Sequence, residues 1–172
     1  EKGILNKIET GFEYEGFDYK GILFIGLMIT KEGPQVLEFN CRFGDPETEV
    51  VLPRLKTDLI DIIQKSLDGN LREEDLAWKE EASVTVVLTS DGYPDEYEKG
   101  KEIIGLENLD KDIILFHNGT KKIGDKIYTN GGRVLSITAL GDTMDEAREK
   151  IYTNIDRIQF DGICYRKDIG QI

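Results

Sequence analysis

Residues 36–49 read VLEFNCRFGDPETE. The run of Val, Leu and Phe fits an extended strand, and the Gly-Asp-Pro that follows cannot continue one. Side chains of a strand alternate between two faces. Leu37, Phe39, Cys41 and Phe43 are therefore predicted on a core face, and Glu38, Asn40 and Arg42 on the other. The polar set aligns a carboxylate, an amide carbonyl and a guanidinium, each about 7 Å from the next. Glutamate plus an asparagine oxygen is a hard donor pair suited to Mg²⁺, which takes one or two protein ligands and fills its shell with water and phosphate oxygens. A solvated strand face with incidental polar residues fits the same pattern.

Asp45-Pro46-Glu47 predicts a helix start, with Asp45 as N-cap, Pro46 in the first helical position and an acid in the first turn. Such a helix end beside Arg42 offers unpaired backbone N–H groups and a positive dipole end, with Asp45 and Glu47 available to an amine. Capping alone also accounts for the segment.

The flanking sequence fills in an α+β chain. Residues 1–10 read as the end of a helix with Gly11 as its stop. The two apolar runs around Lys31-Glu32-Gly33-Pro34 predict an antiparallel hairpin. Leu55, Leu59, Ile62, Ile63 and Leu67 recur at helical spacing before Gly69-Asn70, and Pro53 separates that helix from the preceding one. Residues 70–81 are charged and poorly patterned, which places a boundary between segments 1–75 and 76–172. Beyond it, ASVTVVLTS, DIILFHNGT, KIYT and RVLSITAL are predicted strands, the last two joined at Asn130-Gly131-Gly132. DGYPDEYEKG is a loop. DTMDEAREKIYTNIDRI is an amphipathic helix capped by Asp142 or Thr143, with Met144, Ala147, Ile151 and Ile155 inward.

The 34 acidic and 22 basic residues give a formal charge of −12, which repels phosphodiester backbones and argues against a nucleic-acid partner. A small anion remains admissible in a local basic pocket. Cys41 and Cys164 are widely spaced and read as buried free thiols of a reducing cytosol. No apolar run reaches the ~18 residues of a membrane span. The opening EKGILNKIET has neither a Met nor the marks of a signal peptide, and reads as the middle of a longer protein.

VLEFNCRFGDPETE, with GILFIGLMI before it, resembles the signature region of the phosphoribosylamine–glycine ligases, also called glycinamide ribonucleotide synthetases. The resemblance continues in order through LPRLKTDLID, ASVTVVL, GYP, FHNGT, TNGGRVLSITALG and the terminal CYRKDIG. One departure is Glu49, where the family usually has Gln, and an added negative charge there would bear on substrate affinity.

The resemblance implies the C-terminal half of an ATP-grasp module over 1–75 and a small α+β C-terminal domain over 76–172. It implies a cytoplasmic ligase of purine biosynthesis that joins glycine to 5-phosphoribosylamine through glycyl phosphate, consuming ATP; the alternatives are another ATP-grasp carboxylate–amine ligase or carboxylase, or a non-catalytic ATP-grasp-derived interaction module. Glu38 and Asn40 match the pair that binds Mg²⁺ or Mn²⁺ beside the nucleotide. Arg42, Asp45 and Glu47 are assigned to glycine or phosphoribosylamine, Arg42 and Asp45 as the reacting-site pair. Asn130-Gly131-Gly132-Arg133 has two readings. One is a tight turn needing positive φ; the other places the glycine N–H groups and Arg133 against the substrate's phosphate. His117, the only histidine, is expected to be hydrogen-bonded and structural. The C-terminal Arg166, Lys167 and Asp168 either pack the tail or are solvated. The family's N-terminal portion, which would clamp adenine, is expected as a partner, and this chain alone is expected to be inactive.

Overall fold

The computed structural model describes residues 2–171. In chain order the elements are α1 (Lys2–Glu15), β1 (Phe24–Thr30), β2 (Gly33–Asn40), α2 (Glu47–Val51), α3 (Leu59–Leu67), β3 (Ala82–Ser90), β4 (Glu102–Ile103), β5 (Ile114–His117), β6 (Thr120–Ile123), β7 (Lys126–Thr129), β8 (Arg133–Gly141), α4 (Met144–Ile155) and β9 (Ile163–Cys164). The fold class is α+β, as expected. The chain divides into two compact units, one of residues 1–44 and 56–77, the other of 45–55 and 78–172. No helix among the described residues is long and apolar enough to cross a membrane.

In the first unit, α1 runs past Gly11 and ends at Gly16, whose φ of +68° only glycine adopts freely. Gly11 is thus not the stop. Helical hydrogen bonding outweighs the ~1 kcal/mol cost of an interior glycine. Phe12 then meets Phe17 and Tyr19 edge-on at 5.6 and 5.8 Å. β1 and β2 form the expected hairpin, from Phe24 opposite Asn40 to Thr30 opposite Gly33. The Thr30 hydroxyl accepts from Glu32 N and donates to Gly33 O, which closes the turn. Among the described residues this sheet has two strands. Leu37 and Phe39 are therefore 63% and 53% exposed, and they are not core. α3 starts at an Asp58 cap whose carboxylate accepts from Ile60 N at 2.7 Å. Leu55 lies before that cap, outside the helix. Residues 72–77 fold back along α3: Thr57 Oγ1, just before the helix, donates to Asp75 O, and Lys65 of its last turn pairs with the Asp75 carboxylate. Asp75 of the charged 70–81 stretch is thereby tied to α3.

In the second unit, β3 and β8 are the centre of an antiparallel sheet of order β5-β8-β3-β9. Val84 faces Ala139, Val86 faces Ile137 and Leu88 faces Leu135, and all six are buried. Ala147, Ile151 and Ile155 of α4 complete that core. Met144, expected among them, is 38% exposed at the helix's first residue. Thr143 is the cap, accepting from Glu146 N, while Glu146 accepts from Asp142 N. The opposite face of the sheet carries Thr85 against Thr138, and Thr138 Oγ1 donates to Glu49 O of α2.

A second sheet has the order β4-β7-β6. β7 and β8 therefore belong to different sheets, and Asn130-Gly131-Gly132 is a crossover, not a hairpin turn. Neither Gly131 nor Gly132 has positive φ. They are needed for close approach: a Cβ on Gly131 would stand 3.0 Å from Gly119 Cα, and one on Gly132 would stand 2.1 Å from Tyr93 Cδ2. DIILFHNGT likewise divides between β5 and β6. Both cysteines are exposed rather than buried, Cys41 just past the end of β2 and Cys164 in a two-residue edge strand.

Asn154 of α4, 2% exposed, accepts from Asp110 N and donates to its carboxylate, and Arg157 adds a second donor. These bonds, Arg157's first, hold the Asp110 carboxyl below its usual range. A depressed carboxylate contributes stability that is present above the unfolded pKa of about 4 and lost as pH falls through the lower folded value. Asp110→Asn is expected to unfold at lower urea than the parent at pH 7. The difference should shrink as pH falls below about 4 and vanish once Asp110 is protonated.

Candidate functional site

The predicted site residues lie in both units, and each group has its own geometry. In the first unit, Glu38 sits opposite Gly26, where a Cβ would stand 3.0 Å from Glu38 Cγ. Glycine there leaves room for the glutamate side chain. Asn40 Nδ2 donates to Glu38 Oε1 at 3.2 Å, and Arg42 Nη2 donates to Asn40 Oδ1 at 3.4 Å. Arg42 Nη1 also donates to Phe43 O at 2.8 Å. The three polar side chains therefore share one side, although β2 ends at Asn40 and Arg42 lies in the bend beyond it. Glu38 is exposed and Asn40 half-buried.

Glu38 Oε2 has no partner among the described residues. Nor does any group of three or more carboxylate, imidazole or thiol side chains among them form a metal cage. This donor pair thus fits a hard cation that keeps water and phosphate oxygens in its shell, and does not fit one needing a full set of protein ligands.

In the second unit, Asp45 does not cap α2. The cap position falls on Pro46 without a side-chain bond, and α2 has five residues. The Asp45 carboxylate instead pairs with Arg133 Nη1 at 3.1 Å, and the same nitrogen donates to Asp45 O at 2.6 Å. Arg133 can reach Asp45 because the β3–β8 register slips: Leu88 pairs with Leu135, but Thr89 pairs with Arg133. Val134 is the extra residue of this bulge, and its carbonyl accepts from Asn118 N and Gly119 N. The bulge turns Arg133 from the α4 face to the face that carries α2.

Arg133 Nε donates to the Tyr93 hydroxyl at 2.9 Å. That bond, and then the Asp45 carboxylate, raises the guanidinium's pKa against the opposing effect of burial. Gly131 and Gly132 turn their carbonyls toward β3, accepting from Ser90 Oγ and Ser90 N. Glu47 is the first helical residue of α2, and its side chain has no ion-pair partner among the described residues. A cavity of about 410 Å³ opens on the same face of the sheet, lined in part by Pro46, Thr85, Thr89 and Arg166.

Glu49 Oε1 accepts from Asn118 Nδ2 at 3.1 Å, while Glu49 Oε2 and Asn118 Oδ1 are buried without partners among the described residues. The extra carboxylate is therefore turned into a protein contact. His117 Nδ1 lies 3.0 Å from Thr120 Oγ1, the local structural role expected of it. The C-terminal tail is packed: Arg148 donates to Lys167 O and Ile169 O, and Tyr152 donates to Arg166 O. The Arg166 side chain forms a two-bonded pair with Asp168. Tyr93, Gly26 and Gly119 were not singled out from the sequence. For Tyr93 the one signal was its place in the GYP string.

The profile of the phosphoribosylglycinamide synthetase C domain matches residues 83–172, and that of the phosphoribosylglycinamide synthetase ATP-grasp (A) domain matches residues 1–48. The chain belongs to the phosphoribosylglycinamide synthetase family. It is 52% identical over 170 residues to a phosphoribosylamine–glycine ligase of Caldanaerobacter subterraneus subsp. tengcongensis, covering 99% of this chain and 40% of that protein. It is 46% identical over 169 residues to the trifunctional purine biosynthetic protein adenosine-3 of Homo sapiens, covering 97% of this chain and 17% of that one. A crystal structure of phosphoribosylamine–glycine ligase from Thermotoga maritima superposes with a TM-score of 0.80 at 37% identity, over 95% of this chain and 42% of that one. The chain thus spans about two-fifths of the length of the single-function ligases it matches.

Glu49→Gln replaces a carboxylate oxygen by an amide donor at the contact where Asn118 Oδ1 lacks one. The variant is expected to be more stable by about 1 kcal/mol. A urea midpoint that is unchanged or lower would contradict this account of the contact.

Proposed function

We propose that this chain is the C-terminal part of a ligase that joins glycine to 5-phosphoribosylamine at the expense of ATP, giving glycinamide ribonucleotide, ADP and phosphate. The observation that carries the reading is the hydrogen-bonded line of Glu38, Asn40 and, just past the strand's end, Arg42, in a chain 52% identical to a protein named phosphoribosylamine–glycine ligase. The proposed division puts the C-terminal part of the ATP-grasp domain at 1–75 and the C-terminal domain at 76–172, with the rest of the enzyme as partner. A cytoplasmic location follows from the proposed pathway.

In this reading Glu38 and Asn40 hold Mg²⁺ or Mn²⁺ at the nucleotide. When bound, the cation supplies neutralisation of phosphate oxygens during phosphoryl transfer. Glycine's carboxylate attacks the γ-phosphate to give glycyl phosphate, and the acceptor amine then displaces phosphate. Neither step requires a histidine base, because a carboxylate is already a nucleophile and the amine carries its own lone pair. Arg42 binds and orients the carboxylate of glycine. Asp45 accepts a hydrogen bond from the acceptor amine. Glu47, Gly131, Gly132 and Arg133 complete the acceptor's surroundings, with Arg133 as the donor to its anionic oxygens. Arg133 is already held by Asp45 and Tyr93, so its recognition of the acceptor needs little ordering on binding.

The full-length protein is expected to release ADP only when glycine is present, with bicarbonate giving no turnover. Replacing Glu38 and Asn40 together by alanine should lower kcat/KM by roughly a thousandfold, several kcal/mol of lost charge stabilisation. Bicarbonate-dependent ADP release, or a double variant with undiminished turnover, would sink the assignment.

A further inference from the structure

The GYP string is part of the family resemblance, yet it contains none of the residues assigned to the metal or to the acceptor. In the structure Tyr93 lies at the head of the 91–100 loop, where its N–H donates to Ser90 O at 3.2 Å. Gly92 precedes it with φ +88°, and a Cβ on Gly92 would stand 2.1 Å from Glu96 O. The loop is therefore folded tightly on its own backbone just before the tyrosine. The Tyr93 ring lies against Gly132, where a Cβ would stand 2.1 Å from Tyr93 Cδ2. On the other side Tyr97 meets the ring at 6.2 Å and 60°. Thus held, the ring brings its hydroxyl to Arg133 Nε at 2.9 Å.

The consequence concerns which donors of Arg133 stay open. Nε–H is taken by Tyr93, and Nη1 is taken by the carbonyl and the carboxylate of Asp45. Nη2, with two N–H groups, has no partner among the described residues, and neither has Asp45 Oδ2. A guanidinium is planar, so fixing Nε and Nη1 also fixes the direction of Nη2. What remains is one donor pair beside one acceptor atom. That pattern suits a ligand with an anionic oxygen and an amine or hydroxyl donor close together.

We propose that Tyr93 is a positioning residue: its hydroxyl, delivered across Gly132, locks the Arg133–Asp45 pair so that Arg133 Nη2 and Asp45 Oδ2 meet the phosphoribosyl acceptor. This rests on the reading above that Arg133 and Asp45 bind that acceptor. Tyr93 touches no reacting atom and acts through Arg133. Gly132 serves the same end, because any side chain there displaces the ring.

The test is steady-state kinetics on the full-length enzyme with ATP, glycine and phosphoribosylamine each varied in turn. Tyr93→Phe keeps the ring against Gly132 and removes only the hydroxyl. It is expected to raise KM for phosphoribosylamine about tenfold, the worth of one hydrogen bond to a charged group. KM for ATP and glycine, kcat and Tm should be unchanged. Gly132→Ala, which displaces the ring, should raise the acceptor KM as well. A Tyr93→Phe enzyme whose acceptor KM stays within about twofold of the parent overturns the proposal. So does one in which all three KM values rise together with a lowered Tm, since that marks a merely structural tyrosine. Arg133→Met separates the two levels of the argument. If it raises the acceptor KM while Tyr93→Phe does not, only the positioning role fails. If it leaves the acceptor KM unchanged, the acceptor reading fails as well.

Discussion

The second unit depends on the ladder between β3 and β8. Three directly opposed apolar pairs (Val84 with Ala139, Val86 with Ile137, Leu88 with Leu135) lie under α4, and they fix which way every other residue of both strands faces. Side-chain period in a strand is two, so one inserted residue reverses everything beyond it. The bulge at Val134 is that insertion. It leaves the apolar pairs facing α4 and turns Arg133 to the opposite face, where Asp45 waits. One backbone irregularity therefore separates the residues that stabilise the sheet from the arginine that pairs with Asp45 at its end.

Elsewhere on that face, hydroxyl and amide groups do the joining. Thr138 holds the backbone of α2 and Asn118 holds Glu49, so the segment that follows Gly-Asp-Pro is seated on the sheet by hydrogen bonds to β8 and the loop after β5. The first unit solves a different problem. Its hairpin has two strands, an exposed apolar side and a polar line, and the glycine opposite Glu38 gives that carboxylate its space. An apolar groove of about 1050 Å³ runs between α1 and β2, bordered by Ile8, Phe12, Phe17, Val36 and Phe39.

Much of this was legible from residue order. The hairpin, β3, β7, β8 and α4 follow from alternation, turn residues and caps, all of which act within a few positions. The shared side of Glu38 and Asn40 follows from the same alternation, while Arg42, past the strand's end, joins them through its bond to Asn40. What escaped was what depends on partners far away in the chain. Leu37 and Phe39 have core chemistry, yet burial is set by what packs on a strand and not by the strand's own sequence. Gly131 and Gly132 read as a turn because glycine most often signals positive φ. Their real neighbours, Gly119 and Tyr93, lie 12 and 39 positions away. Asp45 read as a cap for the same local reason, whereas its partner Arg133 is 88 positions distant and comes into reach only through the bulge.

The central claim is that Glu38 and Asn40 form the seat for a divalent cation. Paramagnetic broadening of amide resonances by substoichiometric Mn²⁺ measures this directly, because the effect falls steeply with distance and detects weak binding. The account predicts loss of signal centred on residues 38–42, reversed by excess Mg²⁺. Broadening confined to the acidic 95–98 loop, with residues 38–42 unaffected, would contradict it.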